Sequence, residues 1–237
     1  MAYDVPAISS VMDRKITQLD QITNNLANAS TSGFKVQHLY AMNAADKTNA
    51  TGDTPYGDVM YTDFSQGFFQ KTENPLDLSL QGDGFFVVQT PEGQAYTRKG
   101  DFTVNKLNQI VTQEGNLVLG EGGPITLQDG KKIHINDAGA VYADDGQVGK
   151  LRVVDFSDRQ ALSRAGGGLY RDPGTAGIKK VDKPSVASGY IESSNVNIVR
   201  EMGEMIDIQR SFETYQKVVQ TLADDDKLST SRVGRLA

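Results

Sequence analysis

Cysteine is absent from the 237 residues, so the chain has no disulfide, no thiol nucleophile and no thiolate metal site. That absence is compatible with an oxidising compartment without placing the protein in one. Histidine is almost absent too. His38 and His134 lie far apart in sequence, and His134 alternates with Ile133 and Ile135 on a predicted strand, which turns it towards solvent. No apolar run reaches the roughly 18 residues that a bilayer-spanning helix needs. Asp4, Asp13, Arg14, Lys15 and Asp20 interrupt the place where a secretory signal would carry its apolar stretch, so no such peptide is expected. Positive charge is in deficit, with 24 basic against 30 acidic residues and a net charge of −6. A general nucleic-acid or anionic-membrane binder needs the opposite footprint.

The motifs of catalysis are missing as well. There is no G-x-S-x-G elbow and no Walker loop. Gly82-Asp83-Gly84 and Gly120 to Gly123 look like fragments of nucleotide loops, but neither opens a helix behind a strand, and both read as turns. Asp144-Asp145 and Asp224 to Asp226 lack the spacing of a calcium loop with its distant glutamate. The sequence therefore offers no catalytic, cofactor or metal site. The remaining enzymatic alternative is a cell-wall-binding β module or hydrolase using Asp144 with Asp155, the helices serving only to dimerise it.

The most informative shortage is local. Twenty-two of the 24 glycines, Gly33 to Gly189, and six of the seven prolines, Pro55 to Pro184, fall in the middle of the chain, which leaves both ends nearly free of helix breakers. Residues 4 to 28 read as a helix. Val5, Met12, Leu19 and Leu26 recur every seven residues, Ile8 and Ile22 occupy the second track, Asp4 can cap, and Pro6 sits in the first turn. Asn197 to about Ala223 repeats the pattern, with Ile198, Met205, Phe212 and Val219 on one track and Ile208, Tyr215 and Leu222 on the other. Lys15 and Glu201 are the polar intruders on the two seams. Each helix has apolar surface beyond one seam: Val11 and Ile16 on the first, and Val199, Met202 and Ile206 on the last. Gly203, inside the last helix, fits a close approach by another helix or a tolerated surface position.

Between the ends, short strand signals alternate with turns. Phe85 to Thr90, Pro91-Glu92-Gly93 and Gln94 to Arg98 read as a hairpin, and similar units continue to Phe156. The predicted organisation is a helix and motif over 1–35, an extended connection over 36–74, a β domain over 75–170, a connection over 171–196, and a helix and tail over 197–237. The fold class is α+β, with long N- and C-terminal helices pairing as a coiled-coil stalk below a central all-β head. The chain leaves along one helix and returns along the other, so the pair should run antiparallel, with Lys15 near the level of Phe212 and away from Glu201.

Two segments carry more information than capping requires. One is Thr23-Asn24-Asn25-Leu26-Ala27-Asn28-Ala29-Ser30-Thr31-Ser32-Gly33-Phe34-Lys35, and the other is Gly189-Tyr190-Ile191-Glu192-Ser193-Ser194-Asn195-Val196. The first resembles the N-terminal signature of bacterial flagellar rod and hook proteins, A-N-N-L-A-N-x-x-T-x-G-F-K, with Thr23 in place of the leading alanine. The second resembles the same family's G-x-x-E-x-S-N-V. Asn74 to Leu78, Gly82 to Val88 and Tyr96 to Phe102 match further family segments in order. Gly120 to Ile125, Val148 to Phe156 and the short length resemble the rod members. The distal-rod members usually carry a longer segment after the first helix, and the hook protein is longer still. The ending, Asp224 to Ala237, lacks the leucine-rich termination common in distal-rod and hook members.

The resemblance implies a structural subunit of the flagellar basal-body rod, the axial shaft between motor and hook. It implies export through the flagellar type III apparatus without a cleaved signal, a periplasmic position, and other rod subunits and copies of itself as partners. Val5, Ile8, Met12, Leu19, Ile22, Leu26, Ile198, Met205, Ile208, Phe212, Tyr215, Val219 and Leu222 are the expected assembly residues. Asn24, Asn25, Leu26, Ala27, Asn28, Gly33, Phe34, Lys35, Ser194, Asn195 and Val196 are the family motif positions.

Overall fold

A computed structural model of the protein describes residues 5–42, 57–127, 132–144 and 146–233. Asp4, the turn Asp129-Gly130, Asp145 and the tail from Gly234 lie outside the described residues. The chain divides into two compact units. One joins the chain ends, through Ala27 and from Asn197 onward, to Gln37–Met60; the other holds Asn28–Val36 and Tyr61–Val196.

The first unit contains helix α1, Val5–Ala27, and helix α2, Ile198–Val233. Asn197 starts α2 as a cap: its side-chain oxygen accepts from Arg200 N at 3.2 Å and its carbonyl from Glu201 N at 3.0 Å. The expected coiled-coil stalk does not form. These are the only α-helices among the described residues, the rest of the regular structure is overwhelmingly strand, and the heptad tracks do not close into one seam. Among the described side chains of the two helices only Ile22, Asn25, Glu201 and Ile208 are buried, while Ile198 and Val219 on the predicted seam are 51% and 36% exposed. The physical reason is length and polarity. A seam needs a partner along its whole course, but α2 has 36 residues against 23 in α1. Two polar side chains, Asn25 and Glu201, also take up the end of the contact where α1 finishes and α2 begins.

The second unit is a set of antiparallel sheets. Its largest has ten strands, with Phe85–Thr90 at the centre between Gly93–Thr97 and Leu117–Gly120. The run Phe85-Phe86-Val87-Val88 looks unalternating because both faces of this strand are covered. Phe86 and Val88 pack with Leu78, Phe102, Ile110 and Leu151 on one side. Phe85 and Val87 pack with Tyr96, Phe156 and Tyr170 on the other. Ile133–Ile135, Ala140–Ala143 and Gly146–Lys150 make a separate three-stranded sheet in which His134 is exposed.

The stretches read from sequence as connections carry strands. Gln37–Met42 pairs with Gly57–Thr62. Phe69–Lys71 pairs with Tyr190–Glu192, and Val186–Ser188 pairs with Leu78–Leu80. These last two ladders bring the end of the second unit back onto its beginning.

Candidate functional site

The two signature segments lie side by side within the β unit. Gly33, at φ +63°, donates its N–H to the Glu192 carbonyl at 2.7 Å. A Cβ at Gly33 would stand 2.4 Å from the carbonyl carbon of Arg98, so the backbone passes where no side chain fits. Phe34 is buried with the Arg164 guanidinium 4.6 Å above its ring centroid, and Arg164 Nη2 donates to the Lys35 carbonyl. Asn195 then acts as a backbone substitute. Its Oδ1 accepts from Val36 N at 2.7 Å, and its Nδ2 donates to Asp63 O at 2.9 Å and Ser65 O at 3.2 Å. Ser194 Oγ accepts from Val196 N at 3.2 Å, fixing the turn out of the sheet.

At the centre of this joint is a buried ion pair. The Lys35 and Glu192 side chains have no exposed surface, and Lys35 Nζ donates to Glu192 Oε1 and, at 2.6 Å, to Ser65 O. Gly67 N donates to the same Glu192 oxygen at 3.0 Å. Arg98, 3% exposed, donates to Gly82 O at 2.6 Å, and its Nη1 lies 3.9 Å from Glu192 Oε2. Burial lowers the Lys35 ammonium from its ordinary value against the opposing pull of Glu192, and burial likewise lowers Arg98.

In the helical unit the asparagine pair divides its roles. Asn24 is exposed, while Asn25 is buried with every side-chain hydrogen-bonding direction used. Asn25 Nδ2 donates to Gln37 O at 2.8 Å and to Glu201 Oε2 at 2.9 Å, and Oδ1 accepts from Gln37 N at 3.1 Å and Gln21 Nε2 at 3.2 Å. Asn25 thus clips α1 to the start of a strand and to α2. Asn28 accepts from Thr31, closing the turn after α1, with Ala27 exposed beside it.

Of the predicted assembly residues, Ile22 and Ile208 are buried, and Met12, Leu19, Leu26, Met205, Phe212, Tyr215 and Leu222 are half-buried. Val5 and Ile8 lie in α1 with side chains outside the described residues. Lys15, Ile16, Leu19, Ile208 and Phe212 line one cavity of about 230 Å³, and Glu201 lies at the Asn25 end. The helices therefore run antiparallel with Lys15 level with Phe212. Lys15 donates to Gln18 within its own helix at 3.1 Å. Glu192, Arg98 and Arg164 were not singled out from sequence; the signal was a glutamate inside a strand-like motif facing a lysine inside the other.

Among the described residues no cluster of histidine and carboxylate groups is arranged to hold a metal ion. The aspartates of the enzymatic alternative are engaged: Arg159 grips Asp155 through two donors at 2.8 and 2.9 Å, and Asp144 accepts from Lys132 N at 3.1 Å.

Residues 12–35 match the family described as "Flagella basal body rod protein", residues 79–143 "Flagellar hook protein FlgE/F/G D1 domain", and residues 187–231 "Flagellar basal body rod FlgEFG protein C-terminal". The chain is 34% identical to the flagellar basal-body rod protein FlgF of Caulobacter vibrioides, covering 92% of this chain and 93% of that one. The chain belongs to the flagellar basal-body rod protein family. It is 35% identical to FlgF of Salmonella typhimurium, over 95% and 96% of the two chains. To the rod protein FlgG of Bacillus subtilis it is 32% identical, over 86% and 89%. As a member of the rod protein family it is a structural component of the flagellar basal body and not an enzyme. The matches over 12–35 and 187–231 take in both signature segments, with much of α1 before the first and most of α2 after the second.

Proposed function

We propose that the chain is a rod subunit of the FlgF type that polymerises through the outward faces of α1 and α2. The observation that carries this reading is the apolar surface those helices leave uncovered. Val199, Met202 and Ile206 stand three and four residues apart along α2 and are 82%, 53% and 48% exposed, and Val11 and Ile16 on α1 are 37% and 45% exposed. Helices with apolar residues outside their mutual contact need further neighbours. In a heterologous array those neighbours are copies of this chain and other rod subunits. Delivery by the flagellar export apparatus and a periplasmic site of assembly belong to the same reading.

The test separates assembly from folding. Val199→Asp and Ile206→Asp change exposed positions, where a substitution shifts monomer stability by only about 0.5 kcal/mol, and should leave a folded monomer that no longer enters rods. Leu19→Asp and Phe212→Asp should abolish assembly with the β unit still folded. Normal swimming in all four strains would refute the reading. Cross-linking to neighbours along the rod assigns the chain to the FlgF or FlgG position.

A further inference from the structure

The joint of the two signature segments contains two buried cations, Lys35 and Arg98, and one buried carboxylate, Glu192, to serve both. Asp63 is the other carboxylate whose charge is felt at Lys35. Lys35 and Glu192 are 157 residues apart. The outbound segment supplies much of what holds the inbound segment 28–36, alongside Arg164 on Phe34 and the Lys35 carbonyl, Ser65 O on Lys35 Nζ and Asp63 N on the Val36 carbonyl. Gly33 N and Lys35 Nζ bind Glu192, Val36 N binds Asn195 Oδ1, and Asn195 N donates to the Phe34 carbonyl.

The outbound segment, by contrast, is seated by other parts of the β unit. Tyr190–Glu192 pairs with Phe69–Lys71, Ser193 N donates to Phe68 O at 2.8 Å, and a Cβ on Gly67 would lie 2.0 Å from the Ser193 carbonyl oxygen.

We infer that Glu192 is an interlock: the inbound segment docks only when the outbound strand has brought this carboxylate into place. Without it, docking residues 33–36 would bury the Lys35 ammonium beside the buried Arg98 with no ion-pair partner for either, Asp63 acting on Lys35 and Asp83 and Asp155 on Arg98 only through space, an arrangement that low-dielectric surroundings penalise. The first signature emerges from the ribosome long before the second, yet it stays undocked until the chain is complete through Asn195. The interlock thus makes the attachment of α1's connecting segment conditional on the segment that leads into α2. It stands on the geometry of the β unit and does not depend on the rod assignment.

The logic is asymmetric, and the asymmetry is the test. Hydrogen exchange on the full chain reads docking at the Gly33 and Val36 amides, which donate to Glu192 O and Asn195 Oδ1. Glu192→Gln strands both cations and should speed exchange there by about 100-fold, with Val88 in the central strand unchanged. Lys35→Met leaves one cation facing one carboxylate and should stay within about tenfold of wild type. Lys35→Met/Glu192→Gln removes one stranded charge and should exchange more slowly than Glu192→Gln alone. Equal opening in both single variants would show ordinary packing, and wild-type protection in Glu192→Gln would also overturn the interlock. If Glu192→Gln fails to fold, the double variant decides: protected amides support the interlock and an unfolded chain refutes it. In pulse-labelled refolding of the wild type, Gly33 should gain protection no earlier than Ser193; earlier protection rejects the proposed order.

Discussion

Gly33 shows why a short motif can demand one residue. Its φ of +63° disfavours any side chain, and a Cβ would meet the Arg98 backbone at 2.4 Å. Gly33→Ala should therefore cost about 3 kcal/mol or more in chemical denaturation, well beyond an ordinary surface change. The glycine was legible in the sequence as a position of the signature segment, whereas its close approach to Arg98 was not, because nothing local announces a neighbour 65 positions on. Lys35 was hidden for a related reason: lysine is the side chain least expected to be fully buried, and its partner is 157 residues away. Arg159 offers a second residue-level test. Its hydrogen bond holds Asp83 below the ordinary 3.8, and although burial pushes Asp155 up, the Arg159 bonds more than offset it and Asp155 too lies below 3.8. A lowered folded-state value contributes stability that is complete above about pH 4 and is lost as pH falls through the folded-state values. Arg159→Met should remove that contribution and move the acid-unfolding midpoint upward. An unmoved midpoint would show that these partly exposed pairs are screened to insignificance.

At the level of elements, the helices illustrate what periodicity can and cannot deliver. Their existence, their antiparallel sense and the levelling of Lys15 with Phe212 were readable, because heptad tracks nearly free of helix breakers and the route of the chain require them. The coiled-coil stalk was not present, because a heptad track states only that a face is apolar and not which neighbour covers it. Ile198 lies on a heptad track and is half exposed, whereas Glu201, the polar intruder on the seam, is buried against Asn25. The polar pair does for register what a lone buried amide does in a coiled coil, since sliding α2 by one turn would strand Asn25 and Glu201 apart. Gly203 lies on the open side of α2 with no atom within 4 Å of its would-be Cβ. Gly203→Ala should stabilise the isolated protein by about 0.5–1 kcal/mol through helix propensity. If another helix seats against this position in the assembled rod, the same variant should polymerise poorly. Improved stability with normal rods would place the subunit contact on a different face.

Across the whole molecule, the hairpins of the centre were readable because each is written within a dozen residues. The ladders that close the β unit were not, since Val186–Ser188 meets Leu78–Leu80 and Tyr190–Glu192 meets Phe69–Lys71 only through long-range pairing. A polar, glycine-rich stretch with three-residue strands carries little periodic signal, which is why the β region seemed to end near residue 170. This sets where a protease should stop. In the purified monomer the helices bury few side chains, while the closing ladders, the Asn195 amide and Glu192 tie residues 186–195 into the β unit. Limited digestion should therefore remove α2 first and leave a resistant fragment whose C-terminal boundary falls at or after Val196 by mass spectrometry. A boundary near residue 170 would mean that the closing ladders open as readily as the helices. Residues 28–36 should stay with the fragment even when the chain is cut beyond them, because their partners are Glu192, Asn195 and Arg164 rather than their own neighbours in sequence. In Glu192→Gln the same digestion should release them.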